Sequence, residues 1–72
     1  MTDAIRKGLI QLICYDEPCG SCMLARYDCL NIPGDILAGI VGENRISLLR
    51  KYQFMSDKAK KQESVQAALA YL

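Results

Sequence analysis

Histidine and tryptophan are missing from this 72-residue chain, and phenylalanine occurs once. Without histidine, a Ser-His catalytic pair is excluded, and any soft-ligand metal site has to consist of cysteines. The sequence also has no phosphate-binding glycine loop and no paired-carboxylate site. We therefore expect a protein without enzymatic activity.

Long apolar runs are missing as well. No segment approaches the roughly eighteen apolar residues of a membrane span, so we expect no membrane association. The N-terminal segment carries Asp3 and spaces its apolar residues as a helix does, unlike a secretory signal peptide. We therefore expect a cytoplasmic protein, in which thiols stay reduced and structural disulfides are rare.

Strand patterns are also missing, since no segment alternates apolar and polar residues with period two. The sequence predicts an all-α fold: a single compact domain, residues 1–72, of four or five short helices with the cysteines in its N-terminal half. A chain of this length buries only about 60% of its unfolded surface, so a metal, a disulfide or association would reinforce it. The predicted helices run from the cap Thr2 to about Asp16, from Pro18 to Leu30, over 35–41, over 44–54, and from the cap Ser56 to the C-terminus.

Four cysteines lie within sixteen residues, in the spacing C-x4-C-x2-C-x6-C: Cys14, Cys19, Cys22 and Cys29. Thiolates are soft ligands, and four of them complete a closed site. A single C-x2-C pair flanked by two more distant cysteines favours an iron-sulfur cluster over zinc. The spacing is similar to the cysteine loop of small accessory proteins of bacterial ferrous-iron transport, although there the cysteines follow a helix-turn-helix and here they precede one.

Two other interpretations of the cysteines stay open. If residues 18–30 form one helix, Cys19, Cys22 and Cys29 share a face and can be buried free thiols. Cys19 and Cys22 also form a C-x2-C pair at a predicted helix N-terminus, which is typical of dithiol oxidoreductases. Those enzymes place the pair on a βαβ unit, which this chain lacks, so redox catalysis is the weakest of the three.

Charge is distributed unevenly along the chain. Residues 1–44 carry three basic and six acidic side chains, whereas residues 45–72 carry six basic and two acidic ones. A basic C-terminal half is suited to neutralising phosphates, although a solvated helix surface gives the same counts.

The segment LAGIVGENRISLLRKY resembles a helix-turn-helix. Leu37 and Ala38 would pack the first helix, Gly42 would form the turn, and Ile46, Leu48 and Leu49 would anchor the second helix, although Glu43 stands where an apolar residue is usual. The predicted DNA-binding residues are the exposed donors of the second helix: Asn44, Arg45, Ser47, Arg50, Lys51 and Gln53. The sequence thus predicts a small DNA-binding transcriptional regulator with a four-cysteine iron-sulfur or zinc site.

The alternative prediction is a helical adaptor or inhibitor that binds another protein and has buried free cysteines. In that case the basic stretch would dock on an acidic surface of the partner.

A short apolar stripe lies at the C-terminal end of the sequence. Its members are Val65, Ala68, Leu69 and Leu72. The stripe either packs on the protein's own core or forms the interface of a homodimer, which would present two recognition helices to successive DNA half-sites. Since the stripe covers only two turns, a dimer would also need Tyr52 or Phe54.

Overall fold

A computed structural model of the chain describes residues 1–15, 17, 24, 26–28 and 31–72, and this part contains five helices and no strand. The all-α prediction is therefore confirmed. None of the described helices is long and apolar enough to span a bilayer. The helices are α1 (Asp3–Cys14), α2 (Gly34–Glu43), α3 (Arg45–Gln53), α4 (Asp57–Lys60) and α5 (Glu63–Tyr71).

The antiparallel pair of α1 and α5 forms the centre of the fold. Gly8 lies against Ser64 and Ala68, and one turn later Gln11 bonds to Ser64 and to Gln62. The Ser64 hydroxyl donates to Gln11 Oε1 at 2.5 Å, and Gln11 Nε2 donates to Gln62 Oε1 at 3.2 Å. Small residues at the crossing let the two backbones approach closely, and the glutamines fix how far one helix slides along the other.

The hydrophobic core joins these two helices to the rest of the chain. It receives side chains from four helices and from the connecting segments. Its buried members are Leu9, Leu12, Ile13, Leu24, Ile32, Leu37, Val41, Leu48, Met55, Val65 and Ala68. The Cα radius of gyration is 11.1 Å, which matches the value of about 11 Å for a compact chain of this length.

A single residue, Asn44, separates α2 from α3. The sequence predicted that Gly42 ends the first of these helices, but α2 continues through Gly42 and ends at Glu43. The chain turns at Asn44 instead, because its side-chain amide donates to the carbonyl of Ile40 at 2.8 Å and satisfies one of the last carbonyls of α2. The connection is thus tighter than the turn predicted around Gly42.

The C-terminal helix is divided in two. Ser56 caps α4 as predicted, its hydroxyl accepting from the backbone N–H of Ala59 at 3.2 Å. The predicted continuous helix is wrong at Lys61 and Gln62, where α4 ends and α5 begins. Gln66 stabilises this break by donating from its amide to the carbonyl of Lys60 at 2.5 Å.

The helix predicted over 18–30 falls mostly outside the described residues. Of the part that the structure describes, Leu24 and residues 26–28 lie in turns and coil instead of helix. Leu24 is nevertheless buried in the core, so this segment contributes apolar contact without a helix at these four residues.

Candidate functional site

Helix α3 has an inner and an outer face, and the division differs from the predicted one. Leu48 is fully buried and Tyr52 is half-buried, as expected for core positions. Ile46, predicted to anchor the helix in the core, is 67% exposed. Since positions 46 and 48 point about 200° apart on a helix, burying Leu48 turns Ile46 towards solvent.

Lys51 lies on the inner side of α3 and contacts the C-terminal end of α1. Its Nζ donates to the carbonyl of Ile13 and lies 3.4 Å from a carboxylate oxygen of Glu17. Helix α1 has no basic residue in its own last turn, so Lys51 supplies the positive charge that stabilises a helix C-terminus. This contact gives Lys51 a structural role in the folded chain.

Arg45 makes the corresponding contact at the end of α5. Its Nε donates to the carbonyl oxygen of Leu72 at 2.6 Å, and α5 likewise has no basic residue in its last turn. Asn44 is half-buried and caps α2, as described above. Three of the six predicted DNA-binding residues therefore make contacts within the chain.

The other three predicted residues, Ser47, Arg50 and Gln53, are exposed on the outer face. They share this face with two large apolar side chains, Ile46 and Phe54. Ile46, Arg50 and Phe54 follow one another at intervals of four residues, which places their side chains in a row that rises about 12 Å along the helix. We call these three residues the outer row.

Phe54 is the most exposed large apolar side chain among the described residues, at 84%. It follows the last residue of α3, and its backbone N–H still donates to the carbonyl of Lys51 at 3.1 Å. The next residue, Met55, turns into the core and is 5% exposed. Because Met55 fills the core position, the only phenylalanine of the chain remains on the surface.

The segment that contains the outer row, residues 43–61, is basic. Residues 43–61 expose four basic side chains and two acidic ones, Glu43 and Asp57. The exposed basic residues are Arg45, Arg50, Lys58 and Lys61. Lys60 is half-buried, with its ammonium 5.5 Å from the centre of the Tyr52 ring. The outer row thus combines apolar area with the positive charge of Arg50, and it belongs to a segment whose exposed side chains are net basic.

The cysteine site falls mostly outside the described residues. Cys14 is half-buried and packs against the core at the end of α1, whereas Cys19, Cys22 and Cys29 are not described. Within the described residues, no three potential ligands among cysteine, aspartate and glutamate come together. The four-cysteine metal site therefore stays a prediction.

The C-terminal stripe packs mainly inside the protein. Val65 and Ala68 are 1% and 0% exposed in the core beside α1, so these two side chains pack within the chain, and the predicted dimer interface stays a prediction. Leu69 and Leu72 are half-buried, and Leu72 also packs against the core. The chain's own core was the competing interpretation of this stripe, and in the structure α1 presents a complementary apolar face to it.

Comparisons with protein-family models, curated proteins and solved structures found no match. An all-α fold alone does not specify a function, so the surface chemistry of the molecule has to indicate it.

Proposed function

We propose that this protein is a non-enzymatic helical adaptor that binds another protein through the outer row of α3. Ile46 and Phe54 serve as apolar anchors, and Arg50 between them contacts a polar or acidic group of the partner. Exposed apolar area surrounded by polar residues is typical of a protein interaction site.

The exposure of Phe54 carries this proposal. Burying apolar surface yields about 25 cal/mol per Å², so an aromatic side chain of 150–250 Å² gains several kcal/mol at most on docking. Aromatic residues and arginine are also over-represented among the residues that dominate binding energy in protein interfaces. The outer row offers both types within nine residues, on α3 and at the residue that follows it.

DNA binding by a transcriptional regulator is the second candidate, supported by the exposed donors Ser47, Arg50 and Gln53. It is less favoured because Asn44, Arg45 and Lys51 make contacts within the chain. Two large apolar side chains on the same face also contribute little to phosphate contacts. The predicted iron-sulfur or zinc site would be compatible with either function.

Site-specific crosslinking in cells tests the proposal. Phe54 is replaced by a photoreactive phenylalanine derivative, a change that its exposure allows without disturbing the core. The matched control places the same derivative at Tyr71, which is 43% exposed on α5. We expect a discrete protein adduct from position 54 and none from position 71. The purified partner should then bind the wild-type chain and lose most of its affinity for Phe54→Ser.

The opposite results separate the two candidates. Adducts that form equally from positions 54 and 71, or a partner that binds Phe54→Ser as well as wild type, contradict the adaptor function. Titration of a nonspecific duplex at two salt concentrations then tests the DNA candidate. A steep loss of affinity with salt, abolished by Arg50→Gln, would favour DNA, because phosphate contacts release counterions.

A further inference from the structure

We infer that the segment docking on the outer row is an acidic amphipathic helix of another protein. This inference rests on the proposed function and names the kind of partner that the face fits. It follows from the spacing of the outer row, the charge around it and the secondary structure that surrounds it.

The spacing determines what the partner has to present. Ile46 and Phe54 are separated by about 12 Å of helical rise, with Arg50 midway. A helix that presents apolar residues at i and i+7 or i+8 covers nearly the same distance, about 10–12 Å. A carboxylate at i+4 of that helix would lie opposite Arg50. One face of such a helix therefore contacts all three members of the row.

The charge near the outer row determines which sign of charge the partner segment should carry. Arg50 is exposed within the row itself, and the segment 43–61 that contains the row exposes four basic and two acidic side chains, so the row favours an acidic partner segment. A second copy of this chain is disfavoured on the same ground, because two net-basic segments would meet. A two-fold arrangement centred on the row would also bring the two Arg50 guanidinium groups together.

The secondary structure determines the partner's conformation. An extended peptide binds most readily by adding a strand to an open sheet edge, and the described part of the chain has no strand that would provide one. Helix α3 therefore offers side chains alone, and a helix places its own side chains along a matching row. Docking of an amphipathic helix is the recognition mode that matches a row of side chains at helical spacing.

Synthetic peptides test the inference directly on the full chain. The probe is an acidic helix of about 18 residues, long enough for partial helicity, with leucine and glutamate alternating along one i, i+4 row. One control peptide carries lysine in place of every glutamate. A second control keeps the composition and distributes the leucines around the helix. Binding is followed by NMR through the backbone amide signals of the chain.

We expect the acidic probe to shift the signals of residues 46–54 and to bind about tenfold or more tightly than the lysine peptide. Phe54→Ser should weaken binding about tenfold, and Arg50→Gln should reduce both affinity and salt dependence. Tyr71→Ser, on α5, is the matched control and should bind as wild type does.

Several outcomes would overturn the inference. One is that the acidic probe shifts no signals at about 1 mM. Another is that the lysine peptide binds as tightly as the acidic probe. A third is that the shifts are confined to helices other than α3. Concentration-dependent shifts at the outer row without peptide would assign the face to a second copy. Duplex DNA that shifts the same signals at lower concentration than the acidic probe would assign it to nucleic acid.

Different experimental results would contradict the acidic-helix inference and the adaptor function. If crosslinking identifies a partner whose contacting segment is basic, neutral or extended, the adaptor function stands and the acidic helix is wrong. If position 54 yields no specific protein adduct, the adaptor function itself fails.

Discussion

The contact between α1 and α5 at Gly8 makes one substitution strongly destabilising. A Cβ atom added at Gly8 would lie 1.8 Å from the carbonyl oxygen of Ser64 and 2.9 Å from Cβ of Ala68. The nearest atom belongs to the backbone, so no side-chain rotation relieves the clash. Gly8→Ala therefore has to push the two central helices apart.

The magnitude follows from two opposing effects. Overpacking a core costs about 1–3 kcal/mol, and a backbone clash at 1.8 Å belongs at the upper end of that range. Replacing a helical glycine by alanine returns about 1 kcal/mol through helix propensity. We expect a net loss of about 2 kcal/mol or more in the free energy of unfolding, which lowers Tm by about 8–16 °C for a domain of this size.

Gly39 provides the matched control, because it lies exposed within α2 and an added Cβ would meet nothing within 4 Å. Gly39→Ala should keep only the propensity gain and raise Tm by a few degrees, about 2–8 °C. Thermal unfolding followed by circular dichroism measures both variants. If Gly8→Ala melts at or above the wild-type temperature, the close α1–α5 contact is wrong.

Four further variants test other parts of the structure. Lys51→Met removes the cation from the end of α1 and should lower the free energy of unfolding, measured in urea, by about 1 kcal/mol. Glu17→Gln should lower it less, because the contact of Lys51 with Ile13 remains. Equal losses in the two variants would contradict the role of Lys51 at the helix end. In protein purified without oxygen, Cys22→Ser should lose bound iron or zinc and lower Tm, because metal binding energy contributes to folding in small domains. If the wild-type protein is colourless and contains no zinc, and Cys22→Ser melts at the same temperature as the wild type, the metal site is ruled out. Leu69→Glu should lower stability by about 1 kcal/mol without changing the oligomeric state in sedimentation analysis; a folded monomeric variant of a dimeric wild type would instead support a dimer interface.

Local chemistry explains which parts of the fold the sequence predicted correctly. Thr2 and Ser56 each accept a hydrogen bond from a backbone N–H three residues later, at 3.2 Å in both cases, as predicted for helix caps. The apolar spacing of α1 predicted its buried face, since Leu9, Leu12 and Ile13 are all fully buried. These features depend on residues within one or two turns of one another, so a sequence pattern contains them.

Contacts between distant residues explain what the sequence could not predict. Arg45 contacts a carbonyl 27 residues away and Lys51 one 38 residues away, and both looked like exposed donors in the pattern of α3. Gly8 carries no sequence signal of its close contact, because the atoms that crowd it belong to Ser64 and Ala68. The exposure of Phe54 likewise depends on Met55 occupying the core beside it.

Stability and binding reside on different faces of α3, and this separation makes the proposed function testable. The inner face buries Leu48 and directs Lys51 to the end of α1. The outer row makes little contact with the rest of the chain at Ile46 and Phe54, so Phe54→Ser removes apolar area that folding leaves in water. Such a variant should unfold within about 0.5 kcal/mol of the wild type, as exposed substitutions usually do. A loss of partner binding in a variant of unchanged stability would therefore report on the interface itself.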